Sequence, residues 1–253
     1  MLAHTIHGST MNSKRVAFVH GFTQTRTSWT PFIKKLPATY QYVTIDAPGH
    51  GESSQVTGDL DQIADQLVAV TGSAVYCGYS MGARMCLHAA LAHPEVVTGL
   101  VLMSGTAGID DESERERRQK SDQQLAGHIL EVGVDQFIDE WLAQPMFNNL
   151  PEDEADRTER KFNTASGLAN NLITAGTGSQ FPLWDRLDEL RIPVLIIAGA
   201  NDAKFVALAE RMHDLIALSQ LEIVINAGHT VHFEQPAVVA SLLEKWLRAH
   251  VAI

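Results

Sequence analysis

The sequence predicts an α/β fold: a mostly parallel central sheet flanked by helices, with a helical cap inserted. Three observations predict it. Short, β-branched apolar runs recur along the chain. Segments of helical periodicity separate most of them. One long stretch, residues 107–186, contains no such run. Strands covered on both faces read as continuous apolar runs, because neither face meets water, and their alternation with helices calls for parallel crossovers.

The runs are VAFVH from Val16, YVTID from Tyr42, AVYCG from Ala74, LVLMS from Leu100, VLIIAG from Val194 and LEIVINAG from Leu221. Leu60 to Val70 and Met81 to His93 carry helical spacing between them. The opening LAHTIHG fits an edge strand. In the interrupting stretch, DDESERERRQKSDQQL places Asp111/Arg115, Glu114/Arg118 and Glu116/Lys120 at i,i+4, where opposite charges meet on a helix. Further amphipathic helices are expected around Val134 to Ala143 and Glu152 to Lys161. The expected division is a core built from residues 1–106 and 187–253, with the cap at 107–186. The GTG of Gly176 to Gly178 lacks the Gly-Lys-Ser/Thr of a phosphate loop and is expected in a cap loop.

Of the 253 residues, 45% are hydrophobic, enough for a substantial core. The formal net charge of −11 disfavours nucleic acid and anionic membrane surfaces as partners. Cys77 and Cys86 supply neither a disulfide framework nor metal spacing and are expected as buried thiols. The start lacks the apolar run of a signal peptide, and no run is long enough to span a bilayer, so the expectation is a soluble cytoplasmic protein, monomer or homo-oligomer.

Gly78-Tyr79-Ser80-Met81-Gly82 reads G-x-S-x-G between a strand and a helix. In that context the serine sits on a tight turn with its hydroxyl at a helix N-terminus. A serine hydroxyl needs an imidazole, and the imidazole a carboxylate to orient it. Asp202 and His229 follow in that order, each just past an apolar run, at the sheet edge where open α/β folds place their sites. His20-Gly21-Phe22 ends the first apolar run, and the backbone amides of Phe22 and Met81 are the expected oxyanion hole. The alternative readings are an N-cap for Asp202, a loop histidine for His229 and a strand-end turn for His20-Gly21. His50, in DAPGHGES, is expected to be structural. His20, His50, His229 and His232 lack a zinc signature, and neither metal nor cofactor is expected.

HGF, DAPGHGES, GYSMG, AGANDAKF and AGHTVHFEQP together resemble the α/β-hydrolase superfamily across nearly all of the chain outside the cap. GYSMGAR, the cap segment ERRQKSD and the run EWLAQPMF further resemble one branch, the 2-succinyl-6-hydroxy-2,4-cyclohexadiene-1-carboxylate synthases of menaquinone biosynthesis. That resemblance implies a cofactor-independent lyase acting on a small anionic polycarboxylate. Arg84, one helical turn past Ser80, can face the same cavity and hold a carboxylate with its planar fork. In so acidic a chain, local arginines must supply the attraction for an anion. The resemblance adds Arg118 and Arg160 as further carboxylate clamps and Tyr79 and Trp141 as pocket lining. Ala83 stands where the family usually has a second glycine. A serine hydrolase, either carboxylesterase or C–C bond hydrolase, would use the same triad, and a binding protein could retain it, so both remain alternatives.

Overall fold

The computed structural model describes residues 1–8, 14–147, 150 and 154–251, with the side chains of 154–156 excepted. The strands are β1 (His4–His7), β2 (Arg15–Val19), β3 (Gln41–Ile45), β4 (Ala74–Tyr79), β5 (Val97–Met103), β6 (Val194–Gly199) and β7 (Ser219–Val224). They form one sheet in the order β1-β3-β2-β4-β5-β6-β7. Only β1, the edge strand, runs antiparallel, with His4 opposite Ile45. The other neighbours pair in parallel.

Side-chain alternation along each strand sorts the core into two layers. Ala17, Val19, Tyr76, Leu100, Leu102, Val194 and Ile196 point to one face. There they meet α2 (Leu60–Thr71), α3 (Met81–Ala92) and α7 (Ala203–Leu215). Val16, Phe18, Val75, Cys77, Val101, Leu195 and Ile197 point to the other. There they meet α1 (Thr30–Ile33) and α9 (Pro236–His250), which follows the short α8 (Val231–Glu234). Each run is apolar throughout because both faces are covered. Asp59 opens α2 with a reciprocal cap: its carboxylate accepts from Gln62 N, and the Gln62 side chain returns to Asp59 N. Cys77 and Cys86 are both buried and free.

Between β5 and β6 lie α4 (Glu112–Leu142), α5 (Glu154–Arg160) and α6 (Ala165–Ala175). Residues 152 and 153, expected to begin the α5 helix, lie outside the described residues. Gly133, at φ 78°, breaks α4 near its C-terminal third. The inserted helices own a small core of Ala126, Ile129, Phe137, Ile138, Leu168, Ala169 and Leu172.

Two expectations need correction. The charge ladder on α4 does not form as spaced: Asp111 instead caps the helix through Glu114 N at 2.7 Å, and Arg118 pairs forward with the buried Asp122 at 2.7 Å. A helix N-terminus offers an acid unpaired amides, and a buried carboxylate draws in the nearest cation. β7 stops at Val224 rather than running to Gly228 and is only half-buried, because it is an edge with no further strand to pair. Among the described residues no helix is long and apolar enough to cross a membrane.

Candidate active site

β4 hands over to α3 through Ser80 alone, held at φ 51° and ψ −106°. L-residues avoid this region, so the turn must be fixed from outside. Ser80 N donates to Met103 O at 2.8 Å, tying the turn to β5. The flanking glycines admit the crossing. A Cβ on Gly78 would lie 2.2 Å from Gly82 O, and one on Gly82 2.1 Å from Val19 O. The Ala83 methyl fits because its neighbour is Gly105, where an added Cβ would come within 2.7 Å of it.

The Ser80 hydroxyl lies 3.0 Å from His229 Nε2, and His229 Nδ1 lies 2.9 Å from Asp202 Oδ2. An ionised carboxylate only accepts, so Nδ1 carries the proton and Nε2 offers its lone pair to the hydroxyl. Asp202 is also the N-cap of α7, accepting from Phe205 N at 3.3 Å, so the bland and the chemical readings of this residue are both true of it. Burial opposes its ionisation, but the bond from His229, the Phe205 amide and the nearby Lys204 outweigh that and hold its carboxyl below the usual range. The His229 loop is pinned twice. Ser104 Oγ donates to His229 O at 2.8 Å, and Glu234 accepts from Gly228 N, Thr230 N and Thr230 Oγ1. Sequence reasoning missed both pins: Ser104 lies 125 residues from His229, and Glu234 lies inside the AGHTVHFEQP segment without its role being read.

Past β2, the amides of Phe22 and Met81 donate to no protein acceptor among the described residues. The surrounding loop is tied down by several hydrogen bonds. Gly21 N donates to Gln24 Oε1 at 2.8 Å and Thr23 N to His50 Nε2 at 3.2 Å. His20 Nδ1 donates to Gly21 O while its Nε2 accepts from Ala47 N; His50 Nδ1 donates to Pro48 O. A ring that accepts a backbone N–H must stay neutral. Burial, with lesser contributions from neighbouring cations, pushes His20 down to about 4; burial and the neighbouring His20 push His50 down to about 3. His232 is also pushed down to about 3, by burial first, and sits between the rings of Trp29 and Tyr79 at 4.6 and 4.5 Å. Among the described residues no group of three or more His, Cys, Asp or Glu is arranged to hold a metal.

The residues expected to bind substrate fall into distinct settings. Arg84 is buried; its Nη1 donates to Ala175 O at 3.0 Å and to Gln180 Oε1 at 3.3 Å, and it bonds no carboxylate among the described residues. Burial, then the neighbouring Arg118, lower its pKa to about 10, with Asp122 partly offsetting them. Arg118 is partly exposed and is committed to Asp122. Arg160 is buried and donates to Phe22 O at 3.4 Å and to Thr23 Oγ1. Trp141, near the end of α4, meets the Phe22 ring edge-on at 5.3 Å, and its indole N–H is buried without an acceptor among the described residues. Tyr79 packs its ring against His229 and His232, behind the triad-like row. Gln180 was not anticipated. It is buried, its oxygen faces Arg84, and its Nε2 has no acceptor among the described residues.

A strained serine at a strand–helix elbow, faced by an Asp–His pair on a parallel sheet with inserted helices, defines the α/β-hydrolase fold. The profile of the Alpha/beta hydrolase family matches residues 16–242, and the chain belongs to that family. It is 38% identical over 251 residues to a Bacillus subtilis (strain 168) protein provisionally named 2-succinyl-6-hydroxy-2,4-cyclohexadiene-1-carboxylate synthase, covering 93% of this chain and 90% of that one. The synthase of the same name from Enterobacter sp. (strain 638) is 31% identical over 244 residues, covering 93% and 92%. Among solved structures, MenH from S. aureus superposes with a TM-score of 0.91 at 29% identity, covering 98% and 99% of the two chains. A thermophilic esterase from Thermogutta terrifontis, with malate bound, gives 0.84 at 27% identity, covering 99% and 94%.

Proposed function

We propose that the protein is a 2-succinyl-6-hydroxy-2,4-cyclohexadiene-1-carboxylate synthase of menaquinone biosynthesis. It would eliminate pyruvate from 2-succinyl-5-enolpyruvyl-6-hydroxy-3-cyclohexene-1-carboxylate. The observation that carries this reading is the pairing of the Ser80–His229–Asp202 row with Arg84, a buried guanidinium bonded, among the described residues, only to neutral oxygens. Such a cation invites an anionic substrate, whereas a neutral ester would leave it uncompensated. Likeness to named synthases over more than nine-tenths of the chain supports the same reading.

In this reaction Ser80 Oγ passes its proton to His229 Nε2 and removes the proton α to the succinyl carbonyl. Asp202 steadies the imidazolium. The Phe22 and Met81 amides hold the charge that develops on the carbonyl oxygen. The electron pair of the resulting dienolate expels the enolpyruvyl oxygen, which takes up the proton held by His229; the ring gains its second double bond, and the released enol tautomerises to pyruvate. No bond to the serine forms. Arg84, Arg118 and Arg160 would hold the carboxylates, with Trp141 and Tyr79 shaping the cavity.

The row of Ser80, His229 and Asp202 suits acyl transfer equally well, and the likeness to an esterase favours serine hydrolysis as the second reading. The deciding experiment incubates purified protein with the cyclohexene precursor and follows pyruvate. Stoichiometric pyruvate with loss of the precursor supports the lyase. Ester turnover without pyruvate selects the hydrolase instead.

A further inference from the structure

The backbone that follows the Phe22 amide is held from the cap. Phe22 sits past β2, yet its ring packs into the core of the inserted helices, 5.3 Å from Trp141 and 6.4 Å from Phe137. Thr23 follows at φ 69°, a region that a β-branched residue enters only under constraint. Its tethers come from two sides. His50 accepts from Thr23 N. From the cap, Arg160 donates to Phe22 O and Thr23 Oγ1, and Asn163 Nδ2 donates to Thr23 O at 2.6 Å.

Asn163, in the turn between α5 and α6, is the hub of this arrangement. Its Nδ2 also donates to Arg160 O at 2.8 Å, and its Oδ1 accepts from Gly51 N at 2.8 Å. One buried amide therefore binds the oxyanion loop, the loop after β3 and the turn that carries Arg160. The three bonds are short, 2.6 to 2.8 Å, and Asn163 is buried, so losing them would leave buried polar groups unpaired.

We propose that Asn163 is a positioning residue that couples the cap to the oxyanion hole, so that the Phe22 amide is correctly aimed only while the cap is seated. The inference rests on the reading of Phe22 N–H as an oxyanion donor. The side chain of Asn163 acts through Thr23. Without its bond, Thr23 can relax out of its left-handed conformation, and the shift passes back through the Phe22 backbone torsions to the Gly21–Phe22 peptide that carries the Phe22 N–H.

The test follows phosphonylation of Ser80 by a fluorophosphonate, a reaction that needs the triad and oxyanion hole whatever the natural substrate. The serine oxygen attacks phosphorus, fluoride leaves, and His229 takes the proton. Asn163→Ala removes the amide, and Asn163→Leu fills the space without its bonds. Both should slow labelling by at least about tenfold, less than the roughly 100-fold or more seen when an oxyanion donor is lost outright. The pH midpoint of the labelling rate should not move, because the triad is untouched. In the pyruvate assay the loss should fall on kcat rather than KM. Leu243→Ala, in the core on the far face of the sheet, serves as a control for destabilisation and should label within about twofold of the parent. Labelling within about twofold of the parent in either Asn163 variant overturns the proposal, as does an equal loss in Leu243→Ala. A parent protein that labels but releases no pyruvate sinks the lyase reading and leaves this inference standing. A parent that does not label at all overturns both.

Discussion

The two sides of the active site are held in opposite ways. On the sheet side every reacting group is fixed by its own element: Ser80 by the glycine-permitted crossing over Val19, Asp202 by the first turn of α7, His229 by Ser104 and Glu234. Facing the cap, the arginines are held by contacts between elements. Arg84, on α3, bonds a carbonyl and an amide of the inserted segment, Arg160 bonds the oxyanion loop, and Arg118 is matched to Asp122. The sheet carries a preorganised proton relay that many α/β hydrolases could share. Beneath the cap lies Arg84, a buried cation that bonds no carboxylate among the described residues, and it is the group that the proposed anionic substrate would meet.

The strongest way to break this comparison is to remove the relay. Ser80→Ala and His229→Ala should each lower pyruvate release by about 10,000-fold or more, and Asp202→Asn by about 10,000-fold, because the amide would hold the imidazole in the wrong tautomer. Turnover near the parent rate in any of the three would show that the row does not carry the chemistry. The next largest effect tests the cap side. Arg84→Ala should lower kcat/KM by roughly 10- to 150-fold, equivalent to the ~1.5–3 kcal/mol of a hydrogen bond to a charged group. Arg84→Lys should recover only part of it, since an ammonium keeps the charge but loses the fork. An unchanged kcat/KM in Arg84→Ala would remove this residue from substrate binding.

The sequence exposed these two sides unequally. Ser80, Asp202 and His229 stood out because the reaction demands fixed residue types at strand ends, in a fixed order, and Gly78 and Gly82 because nothing larger fits the elbow. The strands announced themselves by burial on both faces. The supports did not. Asn163 reaches Thr23 across 140 residues and Ser104 reaches His229 across 125, so no local spacing could reveal either. Gln180 follows a Gly-Thr-Gly-Ser turn with no periodicity, and its role comes only from facing Arg84. The charge ladder on α4 misled for a related reason. Spacing says which charges can meet, but a helix N-terminus and the buried Asp122 competed for them.

The smallest expected effect sharpens the comparison between pinned neutral rings and permanent cations. His20, His50 and His232 have folded pKa values near 4, 3 and 3, against about 6.5 in an unfolded chain. As pH falls below about 6.5 the unfolded chain takes up protons that the folded protein refuses, so it gains the favourable binding and stability drops. The sign is therefore a stability that is complete above pH ~7.5 and declines on acidification through ~6.5 towards 4, by at most about 1.4 kcal/mol per pH unit for each ring. Asp202 acts in the same direction at lower pH, since its folded carboxyl is held below its usual range. Urea midpoints at pH 7.5, 6.5 and 5.5 measure the slope, and His50→Gln should reduce it by close to one proton's worth. If that variant keeps the full slope, His50 titrates in the folded state. Its Nε2 would then be no fixed acceptor for Thr23 N, and the oxyanion loop would lose the anchor on its sheet side.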